Sequence, residues 1–177
     1  MKLIILDRDG VINEDSDHYI KSPAQWHILP RSAQAIACLK QHGYTVAVAT
    51  NQSGIARGLY DRVTLDAIHE KMRKILAEAE AFVDYVVFCP HGPADHCDCR
   101  KPKPGLLRQI GRHFAVNLRG VPVVGDSLRD LQAADAVGAR GLLVKTGKGL
   151  RSEAAMPVGR YPVFDDLFAV VEFLIQP

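Results

Sequence analysis

The sequence predicts a doubly wound α/β fold, a three-layer sandwich around a mainly parallel sheet. Five short apolar runs recur at residues 3–6, 46–49, 83–88, 121–124 and 141–144, and none alternates with polar residues as a half-exposed strand would. Helical patterns lie between them, the arrangement that right-handed βαβ crossovers require. Chemistry-bearing residues then follow directly on the runs, at the strand ends where such sheets bind ligands.

The elements follow in order. The first run enters Asp7-Arg8-Asp9-Gly10. A helix is expected after Pro30, ending near Gly43, where glycine permits the reversal. The second run leads into Thr50-Asn51-Gln52-Ser53-Gly54. The clearest helical stripe holds Leu65, Ile68, Met72, Ile75, Leu76 and Ala79, with Asp61 or Thr64 to cap its start. The third run ends at Cys89, a helix follows Pro104, and the fourth run ends in Gly125-Asp126. A further helix after Ser127 stops near Gly138, before the fifth run. No repeat or low-complexity tract interrupts this pattern. With 177 residues, 47% of them hydrophobic, the chain is expected to form a single domain, residues 1–177, with a metal-binding loop at 89–99.

In an extended segment residues i and i+2 share a side, so Asp7 and Asp9 point into one space. An aspartate has an unperturbed pKa of about 3.9, so Asp7 could attack as a carboxylate without a partner base. Attack on an anionic phosphate ester needs a cation to offset repulsion, a task suited to Mg²⁺. Beside a like charge, Asp9 should have a raised pKa and serve as acid and base. A solvated turn or a calcium loop is the competing reading, but the closing Glu of an EF-hand loop is absent.

Thr50 and Asn51 offer donors where a phosphate would sit, although the same residues suit plain turn chemistry. Asp126 is either a further acid for Mg²⁺ or a helix cap. Asp130 reads as a partner behind that site or, preferred, as a surface acid of its helix. Cys89, His91, Cys97 and Cys99 place three thiols and an imidazole in eleven residues, a donor set for tetrahedral Zn²⁺. His96 competes with His91 as the fourth ligand. Four protein ligands leave no open position, so the zinc would be structural, stapling a loop poor in apolar residues. Arg100 and Lys101 leave that loop together: Lys101 suits a point charge on a phosphoryl group, Arg100 a fork for substrate oxygens. Cys38 reads as a small core residue.

Taken together, Leu6-Asp7-Arg8-Asp9-Gly10, the Thr50 segment, Lys101 and Gly125-Asp126 resemble the four motifs of the haloacid dehalogenase (HAD) superfamily of phosphatases, in that family's order from residue 6 to 130. The run from Thr50 to Gly58, the Cys/His cluster leading into Arg100-Lys101-Pro102, and Val144 to Lys148 are similar to its heptose-1,7-bisphosphate 7-phosphatase branch. That resemblance implies Asp7 as nucleophile, Asp9 as acid/base, Mg²⁺ on Asp7, the Asp9 backbone and Asp126, and Zn²⁺ on Cys89, His91, Cys97 and Cys99. It also implies a HAD-like Rossmannoid fold without a large cap domain. The activity implied is removal of the C7 phosphate of a heptose bisphosphate through an aspartyl phosphate, a cytoplasmic step toward nucleotide-activated heptose for lipopolysaccharide or related glycans. Specificity would come from residues 15–19, from 52–57 including Gln52, Ser53 and Arg57, and from the zinc loop, with Arg57 or Lys148 serving the second phosphate. His91-Gly92-Pro93-Ala94-Asp95 also resembles the histidinol-phosphate phosphatase branch.

Composition narrows the partners. Lys and Arg total 22 against 20 acids, too even for a dedicated nucleic-acid binder. No run approaches a membrane span, and the first apolar stretch is too short for a signal peptide. The expected partner is a small sugar bisphosphate, handled by a cytoplasmic monomer. A phospho-receiver module uses similar residues, but no Asp ends the second or third run, and the zinc loop has no place in it.

Overall fold

The structure, a computed structural model, describes residues 1–176. Six parallel strands form one sheet: β1 (Lys2–Leu6), β2 (Tyr44–Asn51), β3 (Tyr85–Cys89), β4 (Pro122–Gly125), β5 (Arg140–Val144) and β6 (Val163–Phe164), in the order β3-β2-β1-β4-β5-β6. The chain steps outward from β1 to β3, then restarts on the other side of β1 with β4. The reversal between β1 and β4 is the crevice where a doubly wound sheet accepts ligands. All five apolar runs are strands, and four of them carry the expected functional residues at or just beyond their C-terminal ends.

Side-chain alternation splits the core into two layers. Ile4, Leu6, Val46, Val48, Val124 and Leu142 face α1 (Ser32–Gln41), α2 (Arg62–Glu78) and α6 (Leu167–Ile175). Leu3, Ile5, Ala47, Ala49, Val87 and Val123 face α3 (Gly105–His113) and α4 (Leu128–Asp135). Apolar residues on both faces of β1 explain its unbroken hydrophobic run. Asp61 caps α2 by accepting the Thr64 N–H at 2.8 Å, so the first of the two expected capping residues does the work.

Two departures have physical causes. β3 begins at Tyr85 rather than Val83, where Asp84 turns its carboxylate onto the Val46 N–H (2.7 Å) and the Lys40 ammonium (2.6 Å). Beyond β5 the chain adds α5 (Gly149–Ala154), β6 and α6, elements that the apolar pattern alone does not announce. β6 is only two residues long, and the nearly continuous apolar run of α6 lacks a clear period. Asp166, accepting from the Ala169 N–H, marks the start of α6.

Candidate active site

β1 ends by donating the Asp7 N–H to the Val124 carbonyl at 2.8 Å, which carries the β1/β4 ladder one residue into the acidic motif. The chain then turns sharply. The Arg8 carbonyl accepts from Val11, Ile12 and Asn13, and Gly10 takes φ +81°. A Cβ on Gly10 or on Gly147 would collide with the Asp126 carboxylate, so both glycines are needed for close approach.

Carboxylate oxygens of Asp7, Asp126 and Asp130 lie within 4.8 Å of one another. Lys101 Nζ reaches into this group, 3.1 Å from Asp7 Oδ1 and 2.6 Å from Asp130 Oδ1, while donating to the Ala49 carbonyl at 2.7 Å. Burial pushes Asp7 up to about 7, despite the neighbouring Lys101, with Asp130 and Asp9 adding to the rise. Burial likewise pushes Asp126 up to about 8, aided by Asp7 and Asp130. Lys101 is held well above its usual range: burial opposes its charge, but Asp130 and Asp7 outweigh that. Lys101 thus serves two of three clustered acids and Asp126 has no cation of its own, a deficit of positive charge that a hard cation with oxygen ligands fits.

Asp130 is a correction. It is buried, not a surface acid, and it accepts from the Ser127 N–H (3.0 Å) and hydroxyl (2.9 Å) as it pairs with Lys101. It closes the capping box of α4 behind Ser127 and holds the lysine in place, and Gly125 leaves room for it. Asp126 is free of capping duty. Its Oδ2 instead accepts the Lys148 N–H at 2.8 Å.

Asp9 departs from expectation as well. Its carboxylate turns away from the acid group, toward Arg8 Nε and Nη2 (both 3.0 Å), Asn13 Nδ2 (2.9 Å) and Gln52 Nε2 (3.0 Å). Burial pushes its pKa up, but Arg8, Asn13 and Gln52 together bring it below the usual value rather than above it. The charge of Asp7 is the weaker influence because these donors contact the carboxylate directly.

Both hydrogen-bonding contacts to Asp7, from Arg8 N–H (2.7 Å) and Lys101, fall on Oδ1, so Oδ2 is the oxygen left to react. Thr50 accepts from Gln52 Nε2 at 2.8 Å and keeps its own proton for another acceptor. Asn51 clasps the Lys101 peptide from both sides, at 3.1 Å each, and Gln52 Oε1 takes the Tyr60 hydroxyl at 2.6 Å. The side chains of Asn51 and Gln52 are therefore committed within the protein, bracing Lys101 and Asp9.

A small recess of about 80 Å³ is lined by Asp7, Asp9, Thr50, Lys101, Asp126 and Asp130, and opens beside a cleft of about 330 Å³. Asp15, Tyr19, Ser53, Arg57, Arg100 and Lys148 line that cleft, so the three segments expected to set specificity do meet. Lys148 Nζ pairs with Asp15 at 2.9 Å. Arg129, at the mouth of both spaces, and Tyr60 went unnoticed in the sequence. An arginine between a strand-end acid and its capping acid is the signal that could have marked the first.

The Cys/His loop closes on itself. Cys89 Sγ lies 3.7 Å from Cys97 Sγ, 2.9 Å from Cys99 Sγ and 3.6 Å from His91 Nδ1, and His91 Nδ1 lies 3.3 Å from Cys99 Sγ. A tetrahedral site with Zn–S of about 2.3 Å requires edges of about 3.8 Å, so the four groups fit with little movement. His91, not His96, completes the cluster. Cys38 stays apart and half-buried, its sulfur 3.7 Å from His42 Nδ1. Arg100, leaving the loop, donates to the His91 carbonyl at 3.2 Å.

Residues 98–170 match a family model described as "HAD-hyrolase-like". The chain is 58% identical over 175 residues to a D-glycero-beta-D-manno-heptose-1,7-bisphosphate 7-phosphatase of Pseudomonas aeruginosa, covering 98% of both chains. It is 38% identical to one of Escherichia coli, across 85% of this chain and 83% of that one. Among solved structures, a Bordetella bronchiseptica D,D-heptose 1.7-bisphosphate phosphatase complexed with magnesium and phosphate superposes with a TM-score of 0.96 at 57% identity, with 99% of each chain covered.

Proposed function

The chain belongs to the D-glycero-beta-D-manno-heptose-1,7-bisphosphate 7-phosphatase family of HAD-like hydrolases, and from that premise we propose that it removes the C7 phosphate of this sugar bisphosphate with Asp7 as nucleophile. It is a phosphoric monoester hydrolase. The observation that carries the residue assignment is the position of Asp7: it lines the 80 Å³ recess together with Lys101 and Thr50, and its Oδ2 is left without a hydrogen-bond partner.

Asp7 Oδ2 attacks phosphorus, and the bond from phosphorus to the C7 oxygen breaks. Asp9 donates its proton to that departing oxygen. Water then attacks the aspartyl phosphate, Asp9 takes the water's proton, and inorganic phosphate leaves with Asp7 restored. Arg8 favours the ionised form of Asp9, which suits the base step. A dianionic phosphoryl group entering beside it raises its proton affinity for the acid step. Lys101 and the Thr50 hydroxyl hold the phosphoryl oxygens, and their preset positions spare reorganisation during transfer.

Mg²⁺ on Asp7, Asp126 and the Asp9 carbonyl would offset the charge of the three clustered acids and allow Asp7 to react ionised near neutral pH. The Asp9 side chain is not part of that ligand set. Zn²⁺ on Cys89, His91, Cys97 and Cys99 would hold Pro93 and Arg100 at the rim of the cleft. Arg57, Arg100, Arg129 and Lys148 supply the positive charge for the second phosphate and sugar hydroxyls. Thiols gathered as metal ligands suit a reducing, cytoplasmic compartment.

The test is phosphate release from the β anomer of heptose 1,7-bisphosphate, fructose 1,6-bisphosphate and histidinol phosphate. The heptose should have the highest kcat/KM, and Asp7→Asn should abolish turnover while the protein stays folded. Preference for histidinol phosphate, or near-normal rates in Asp7→Asn, would overturn the reading.

A further inference from the structure

Arg8 separates the two acids in the sequence, yet its guanidinium is fully buried and takes no part in lining the recess that holds Asp7. Nε and Nη2 each hold one oxygen of Asp9 at 3.0 Å. Nη1 lies 3.2 Å from Nε2 of His69, a buried residue of α2 whose ring meets Phe88 edge-on, with centroids 6.4 Å apart. A guanidinium only donates, so Nε2 must accept, and His69 is the neutral tautomer carrying its proton on Nδ1. An unbroken line of contacts therefore runs from α2 through His69 and Arg8 to the Asp9 carboxylate.

Charge neutralisation alone does not require this arrangement. A lysine would balance Asp9, but as a point charge it would leave the carboxylate to the single bonds from Asn13 and Gln52, without the paired fork. The paired bonds from Arg8 set the plane of the carboxylate, and the third bond, to His69, sets the plane of the guanidinium. Neither His69 nor Arg8 lines the recess or the cleft. We propose that Arg8, braced by His69, positions Asp9 for proton exchange with the departing C7 oxygen. This inference rests on the role given to Asp9 above.

The test exploits leaving-group chemistry. A sugar alkoxide needs a proton as its bond to phosphorus breaks, whereas the phenolate of p-nitrophenyl phosphate does not. In single-turnover experiments with the Mg²⁺-loaded protein, His69→Leu should slow enzyme phosphorylation by the sugar bisphosphate about tenfold or more, with KM little changed. Phosphorylation by p-nitrophenyl phosphate should stay within about twofold of wild type. His69→Gln, which keeps an acceptor, should recover most of the loss. Arg8→Lys, which keeps the charge but loses the fork, should reproduce the selective defect if His69→Leu does not fold. Equal slowing on both substrates, no slowing, or a selective defect that Gln fails to relieve would each overturn the proposal. If the wild-type protein forms no phosphoenzyme at all, the fault lies in the assignment of Asp7, a result distinct from an unchanged leaving-group dependence in His69→Leu.

Discussion

The ammonium of Lys101 lies 2.6 Å from the carboxylate of Asp130, with both side chains almost wholly shielded from solvent. Lys101 is shared with Asp7, so the two ends of the contact are not equivalent. Lys101→Met strands the buried Asp130 and the partly buried Asp7, and should cost about 3 kcal/mol or more of stability in addition to abolishing turnover. Asp130→Asn leaves Lys101 paired with Asp7 and should cost less. Urea unfolding of the two variants in Mg²⁺ checks the order, and equal midpoints would contradict a shared cation.

Metal and pH should be linked through Asp7 and Asp126. Their folded values, about 7 and about 8, lie above the ordinary 3.8, so the Mg²⁺-free folded state binds more protons than the unfolded chain between those limits. Stability of the Mg²⁺-free, zinc-loaded protein should therefore be greatest near pH 4 on this account and fall as pH rises toward 8, by up to about 1.4 kcal/mol per pH unit for each group. Added Mg²⁺ should raise Tm more at pH 8 than at pH 5. A thermal shift independent of pH would count against this cluster as the cation site.

His69 works in the opposite direction. Burial first, then the positive charges of Arg8 and Arg73, lower its pKa from 6.5 to about 3. The neutral ring contributes stability that is complete above pH 6.5 and is lost as pH falls toward 3, because the unfolded chain takes up the proton first. The difference in unfolding free energy between wild type and His69→Gln should therefore change with pH across that window and be flat above pH 7. A difference that stays flat down to pH 4 would show that His69 is not held neutral.

Zinc removal should loosen residues 89–99 without unfolding the sheet, because the loop has no buried side chain except Cys89. Amide exchange should quicken in the loop and at Arg100, and kcat/KM on the bisphosphate should fall while the Mg²⁺ requirement remains. Unchanged exchange and unchanged kcat/KM after zinc loss would remove the structural role.

How much of this was legible beforehand depended on the range of the interactions involved. The strands and the residues at their ends could be read, because burial on both faces writes a continuous apolar run and the following polar residue stands out. The cysteines could be read from their density. The support of Asp9 could not: Arg8, Asn13, Gln52, Tyr60 and His69 come from separated segments, and nothing local tells a buried guanidinium from a solvated one. The same limit produced the reversed expectation for the Asp9 pKa, since the charge of Asp7 is visible in the sequence and the donors around Asp9 are not. Asp130 was misplaced for a related reason. A helix acid looks exposed until the lysine that reaches it from 29 positions earlier in the chain is placed.

Asn51 grips the Lys101 backbone, its side-chain amide donating to the Lys101 carbonyl and accepting the Lys101 N–H, and so fastens the exit of the zinc loop to the end of β2. The loop is thus tethered at its start by β3, at its finish by β2, and across its base by the four metal-binding groups. What lies between the ligands should therefore tolerate rebuilding, in length or in sequence, with Lys101 left where it is. On the roles proposed above, exchanging residues 92–96 for a segment of another phosphatase should retune which phosphorylated compound enters while Asp7, Asp9 and Lys101 keep their places. The protein is, in engineering terms, a fixed tool with an interchangeable gauge.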